Sequence, residues 1–193
     1  LSVGGTGKTP QIEYLIKLLK TSYKVGVLSR GYGRKTKGFV LVNDTKNARD
    51  VGDEPLQFYK KFNSINVAVD ENRAHGIHQM QTSDVILLDD AFQHRKVNAG
   101  FYILLTKYSD LFSNDFILPV GNLRERRVGV KRADAVVVTK CPNAIDLEEK
   151  NAICRLINRY FNGPIFFSTI EYSDVLLSNT DDKISTSALP NYE

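Results

Sequence analysis

The stretch Leu1-Ser-Val-Gly-Gly-Thr-Gly-Lys-Thr-Pro10 decides the fold. Gly4, Gly5 and Gly7 remove the side chains that would hold a backbone away from a polyphosphate. The loop amides then face the phosphate oxygens, and the following helix adds the positive end of its dipole. Lys8 supplies a mobile cation for the outer phosphates, and Thr9 supplies a hydroxyl for Mg²⁺. The nucleotide-binding segment is thus Val3, Gly4, Gly5, Thr6, Gly7, Lys8 and Thr9. In the usual pattern G-x-x-x-x-G-K-[ST] the first glycine is replaced here by Ser2. A helical pattern follows at once, with Ile12, Leu15, Ile16 and Leu19 on one face. Pro10 falls in the first helical turn, where a missing N–H costs little. A loop of this kind follows a buried strand, and almost no strand precedes it in the sequence.

Outward from the loop, short continuous apolar runs alternate with helical periodicity. Val25-Gly-Val-Leu-Ser29, Phe39-Val-Leu-Val42, Val67-Ala-Val69, Val85-Ile-Leu-Leu88, Phe101-Tyr-Ile-Leu-Leu105, Ala135-Val-Val-Val138 and Pro164-Ile-Phe-Phe167 read as strands. Helices are expected after Gly52-Asp-Glu-Pro55, over 71–81 and over 145–161. Unbroken apolar runs mean strands covered on both faces, and strands separated by helices mean a mainly parallel sheet. The expected class is α/β, a P-loop NTPase-type three-layer fold. Ligands in such sheets bind beyond the carboxyl ends of the strands, where the polar motifs of this chain lie. The tail after Ser173 is polar and irregular, with no strand assured.

Composition permits this and narrows the rest. The 193 residues are enough for one sizeable core, and 42% hydrophobic with 25% charged residues is ordinary for a folded domain. The formal charge of +4 favours an anionic partner. Cys141 and Cys154 are too few and too far apart for a metal knuckle or a disulfide framework. No run approaches the ~18 apolar residues of a membrane span. Strands interleaving aromatic and basic residues are missing, which argues against a nucleic-acid-binding module.

Further polar segments carry chemistry. Asp89-Asp90, after four apolar residues, fits a metal-organising strand end; a turn signal is the simpler alternative. Adjacent carboxylates repel unless a cation neutralises them, and Gln93 and His94 follow within one turn. Ser29-Arg-Gly-Tyr-Gly33 places Arg30 to reach a phosphate on a loop that glycine lets come close. In Gly52-Asp-Glu-Pro55 two acids occupy the first turn of a helix. Dipole pairing worth ~0.5 kcal/mol explains them, and a general base for an alcohol nucleophile explains them as well. Arg124, Arg126, Arg127, Lys131 and Arg132 set five cations against Glu125. That loop suits a substrate phosphate, an anionic membrane surface or plain solvation. Thr139 and Lys140 stand where strand-end loops read a nucleotide base.

The order Val-Gly-Gly-Thr-Gly-Lys-Thr-Pro, Ser-Arg-Gly-Tyr-Gly, Gly-Asp-Glu-Pro, Asp-Asp-Ala-Phe-Gln-His and Pro-Val-Gly-Asn-Leu-Arg-Glu resembles the tetraacyldisaccharide 4′-kinase family, the lipid A 4′-kinases of Gram-negative bacteria. A small residue at the Ser2 position is usual in that family. The resemblance implies ATP- and Mg²⁺-dependent phosphorylation of the 4′-hydroxyl of a lipid A disaccharide 1-phosphate precursor, at the cytoplasmic face of the bacterial inner membrane. It implies no obligate protein partner and no nucleic acid. Carried over by motif, Asp53 is the catalytic base, with Asp90 and Lys8 also catalytic. Thr9, Asp89 and Asp90 organise the metal. Arg30, Tyr32, Arg73, Gln93, His94 and Arg124 contact phosphate or substrate. Residues 1–175 are then the kinase core and 176–193 the start of a connection to a further lobe. Relative to the family, the expectation is an internal fragment without the leading strand, the N-terminal hydrophobic segment or the C-terminal lobe with its helpful histidine. Such a fragment would be inactive alone. Ala91 stands where glycine is common. The rival within the same superclass is a P-loop NTPase of metal insertion or signalling, without a lipid acceptor.

Overall fold

The computed structural model describes Leu1, residues 4–171 and the short strands 175–177 and 183–185. Ser2 and Val3 lie outside the described residues, so the place given to Val3 in the loop is not seen. Helix α1 (Lys8–Leu19) leads out of the loop and into β1 (Val25–Ser29). There follow β2 (Val40–Leu41), α2 (Ala48–Val51), α3 (Asp53–Lys61), β3 (Asn66–Val69), α4 (Arg73–Gln79) and β4 (Val85–Leu88). The second half holds β5 (Ile103–Lys107), a 3₁₀ turn (Arg127–Arg132), β6 (Ala135–Thr139), α5 (Leu147–Ile157) and β7 (Ile165–Phe167). The hairpin β8 (Val175–Leu177) and β9 (Lys183–Ser185) follows.

Strand order is β2-β3-β1-β4 in one sheet and β5-β6-β7 in another. Within these two sheets the pairs are parallel except β2 with β3 at the edge. The strands alternate their burial between two helical layers. Val25 and Val27 of β1, with Val67 and Val69 of β3, pack on Ile12 and Ile16 of α1 and Phe58 of α3. Leu28 and Ala68 face the other way, towards Ile77 of α4 and Met80. Gly76 lets α4 press close, since a Cβ there would stand 2.8 Å from Leu28 Cδ2. In the second half Leu104, Val136 and Val138 pack with Ile153 and Ile157 of α5. Layers on both faces of parallel strands give the three-layer α/β architecture.

Three features differ from the sequence reading. The strand expected over 39–42 is reduced to Val40–Leu41, because it pairs only at an antiparallel edge. The tail is not wholly irregular, since residues 175–177 and 183–185 form a ribbon. The mainly parallel sheet is also split. The strands β4 and β5 line opposite parts of one cavity of about 610 Å³, together with Leu1, Ile12, Leu15 and Leu19. Among the described residues no strand pairs with β4 except β1, and none with β5 except β6. Each therefore presents a row of unpaired backbone groups.

Candidate active site

The loop takes its shape from glycine. Gly4, Gly5 and Gly7 have φ of 56°, 64° and 83°, a region that residues with a Cβ seldom enter. Gly7 caps α1 without a side-chain hydrogen bond, so the first amides of α1 have no side-chain cap. The loop is held from the second sheet. Thr139, at the end of β6, donates from Oγ1 to the carbonyl of Thr6 at 2.9 Å and to that of Thr106 at 3.3 Å. Thr139 was read from sequence as a base-reading residue. In the structure its hydroxyl is occupied by the loop.

Lys8 and Thr9 leave the loop towards carboxylates that lie far off in sequence. Lys8 Nζ is 3.0 Å from Asp90 Oδ1, and Arg124 Nη1 is 3.2 Å from Asp90 Oδ2. Thr9 Oγ1 donates to Glu54 Oε1 at 3.2 Å. Asp90 has a φ of 48°, strained for a residue with a side chain, and it ends the turn after β4. Asp89 points inward and accepts from Ser29 Oγ at 2.9 Å.

The two carboxyls differ in electrostatics. Burial pushes Asp89 above the ordinary range; the Ser29 hydroxyl opposes this, and Glu54 and Asp90 add to it. Burial also raises Asp90, but Lys8 and Arg124 outweigh it and hold the carboxyl below its usual value. Glu125 behaves like Asp90. Burial raises it, and Arg132 at 2.8 Å more than compensates.

Arg73 is only 2% exposed at the start of α4. It donates to the carbonyl of Asp70 at 2.6 Å and to that of Asp89 at 3.0 Å, while its Nε is buried without a partner. Burial lowers its pKa, and Asp89 counters that. Arg73 thus braces the turn carrying Asp89 and keeps one donor spare. His94 lies near Arg73 and Arg30; burial and these two cations push its pKa down, which favours the neutral imidazole at pH 7. Gln93 Nε2 donates to Glu125 Oε1 at 3.4 Å.

The motif Gly52-Asp-Glu-Pro55 meets the Ser29-Arg-Gly-Tyr-Gly33 loop directly. A Cβ on Gly52 would stand 3.1 Å from the Tyr32 carbonyl and 3.3 Å from Gly31 Cα. Asp53 opens α3 and is exposed, beside Glu54, which reaches Thr9. Arg30 is exposed at the end of β1, and Tyr32 is 93% exposed. Lys8, Thr9, Asp89, Asp90 and Arg124 are therefore brought into one cluster, with Arg73, Gln93 and His94 around it. The Tyr32 side chain is not tied into it. Glu54, Ser29 and Glu125 belong to the cluster, although sequence reasoning gave them no site role. For Glu54 the available signal was its place in the first helical turn, which the dipole alone explains.

For a divalent cation the donors are hard oxygens: Thr9 Oγ1, Glu54, Asp89 and Asp90. Among the described residues no group of three or more His, Cys, Asp or Glu side chains forms a cage. Hard oxygens are the donor type that Mg²⁺ takes, one or two carboxylates together with waters and phosphate oxygens.

A glycine loop, its lysine and hydroxyl, and strand-end carboxylates on a parallel three-layer fold define a P-loop NTPase-type protein. Comparison with known proteins narrows this. The family model LpxK, Tetraacyldisaccharide-1-P 4'-kinase, matches residues 1–183, and the chain belongs to that family. It is 58% identical over 184 residues to the tetraacyldisaccharide 4'-kinase of Flavobacterium psychrophilum, covering 92% of this chain and 54% of the relative. It is 57% identical over 194 residues to that of Flavobacterium johnsoniae, covering 98% of this chain and 56% of the relative. A crystal structure described as the "apo" form of LpxK from Aquifex aeolicus in complex with ATP superposes with a TM-score of 0.75 at 34% identity. That match covers 96% of this chain and 56% of the other. The chain spans about half the length of the curated relatives it matches.

Proposed function

We infer that this chain forms the nucleotide and metal half of an ATP-dependent kinase that phosphorylates the 4′-hydroxyl of a tetraacyldisaccharide 1-phosphate in lipid A biosynthesis. The observation that carries the reading is the contact of Lys8 with Asp90 and of Thr9 with Glu54, beside the exposed Asp53. It joins three separate motifs of the family at one loop. The ATP in the Aquifex aeolicus LpxK structure supports ATP as the donor. Residues 1–175 serve as the kinase core, and 176–193 begin the connection to the remainder.

In this reading the amides of the loop, from Val3 to Thr9, and Lys8 receive the polyphosphate. Thr9, with Asp89 and Asp90 directly or through water, would hold Mg²⁺, which would supply positive charge beside the outer phosphates. Asp90 holds Lys8 in place until phosphate replaces it as the partner. Asp53 accepts the proton of the sugar hydroxyl as that oxygen bonds to the γ-phosphorus and the bond to the departing diphosphate breaks. Arg30, Arg73 and Arg124 offset charge spreading over the transferred group. Tyr32, Gln93 and neutral His94 contact the acceptor.

The acceptor is a lipid, and one surface suits its membrane. Phe116, Ile117, Leu118 and Val120 are 42–81% exposed in one run, directly before the basic segment with Arg124, Arg126 and Lys131. Apolar side chains flanked by cations fit an anionic bilayer face, here the cytoplasmic face of the inner membrane. Among the described residues no helix is long and apolar enough to cross it.

The test is a pair of substitutions in the intact enzyme, assayed by label transfer from γ-labelled ATP to the lipid. Asp53→Ala cuts kcat by about 10²–10⁴-fold, with the KM for ATP nearly unchanged. Lys8→Ala chiefly weakens handling of the triphosphate. Equal losses of kcat and ATP affinity in Asp53→Ala would remove its role as base.

A further inference from the structure

Lys107 ends β5, the strand across the groove from β4. Its backbone is fixed by register with Thr139 of β6, whose carbonyl accepts from the Tyr108 amide at 2.9 Å. Thr139 in turn holds the loop at Thr6. The Lys107 side chain then lies along the loop. A Cβ placed on Gly5 would stand 3.1 Å from Lys107 Nζ and 3.3 Å from its Cε. The ammonium of the half-buried Lys107 therefore lies beside the loop at Gly5, where an added Cβ would crowd it. Among the described residues it has no ion-pair partner.

The other loop lysine is engaged elsewhere, since Lys8 is drawn to Asp90 at the end of β4. A lysine ammonium offers three donors and no acceptor, and backbone amides offer donors too. Donors offered side by side by Lys107 and the loop backbone at Gly5 are complementary to one kind of ligand, a polyanion.

We propose that Lys107 is a second phosphate-binding cation of the loop, contacting the nucleotide's polyphosphate from the β5 side while Lys8 acts from the β4 side. This rests on the nucleotide reading of the loop. It assigns binding energy to a residue outside the motifs that define the site.

The test compares the full chain with K107M, K107Q and K107R by calorimetric titration with ATP and with inorganic tripolyphosphate, both with Mg²⁺. Loss of a charge-assisted contact at a half-exposed site weakens both ligands about tenfold in K107M and K107Q. K107R, which keeps the charge, stays within about threefold of wild type. Unchanged affinity in the neutral variants overturns the inference and leaves the loop reading standing. Equal loss in K107R and the neutral variants also overturns it, because the side chain would then shape the loop rather than supply charge. A wild-type chain that binds neither ligand overturns the loop reading and this inference together.

Discussion

Asp89 accepts a hydrogen bond from Ser29 in the interior while Asp90 reaches two cations, so neighbouring carboxyls are displaced in opposite directions. The consequences for stability have opposite signs. The folded pKa of Asp89 lies above its ordinary 3.8, so its contribution is fully present below 3.8 and is lost as pH rises through the folded value. Asp89→Asn should therefore raise the melting temperature at pH 7, with the gain vanishing below 3.8, while activity falls. The folded pKa of Asp90 lies below 3.8, so its contribution is present above that value and fades as pH falls through the folded one. Asp90→Asn should lower the melting temperature modestly at pH 7, because the group is partly exposed. Melting curves of both variants across pH 3–7 check the two signs; shifts of the same sign contradict the assignment. Thr139→Val removes the hydroxyl that holds Thr6, at about 1 kcal/mol, and should weaken ATP binding with little change in α5. Urea titration and calorimetry read the two effects. Much of this residue scale was legible beforehand. Lys8, Thr9, Asp89 and Asp90 announce themselves by residue type at a strand end. The bonds of Glu54 to Thr9 and of Thr139 to Thr6 do not, because a carboxylate in a first helical turn looks the same with or without Thr9 forty-five residues away, and a strand-end threonine carries no mark of its partner.

Among the elements, continuous apolar runs located the buried strands well. The run 25–29 coincides with β1, and 135–138 differs from β6 by one residue. Such runs are readable because both faces are covered. Edge elements are harder: β2 owes its two residues to pairing with β3 alone, and α4 begins where Asn72 caps it. The cavity between β4 and β5 shows what pairing supplies. Its two edges predict fast amide exchange in the groove-facing groups of these strands. An extension ahead of Leu1 that forms a strand in the groove should slow that exchange and raise the melting temperature. Exchange that stays fast would mean that the groove does not seat a strand. On the opposite layer, Gly76→Ala places a methyl 2.8 Å from Leu28 Cδ2 and 3.0 Å from Asp70 Cβ. Overpacking of that kind destabilises by roughly 1–3 kcal/mol, measurable by urea unfolding.

At the scale of the whole molecule, the strand ends of both sheets contribute to one site: Ser29 from β1, Asp89 and Asp90 after β4, and Thr139 from β6, all around the loop that opens α1. That gathering is what a parallel α/β topology does with motifs scattered over more than a hundred residues. The proposed sugar-lipid acceptor rests on resemblance, because sugar and acyl recognition leave no short motif comparable to the phosphate loop. The central claim is that these residues carry phosphoryl transfer to a lipid. It is tested by a chimera in which this chain replaces the matching segment of the Flavobacterium johnsoniae kinase, to which it is 57% identical. The chimera is given γ-labelled ATP, Mg²⁺ and tetraacyldisaccharide 1-phosphate. Labelled lipid is the expected product, lost in Lys8→Ala and Asp53→Ala. A folded chimera that releases labelled free phosphate but leaves the lipid unlabelled would contradict it.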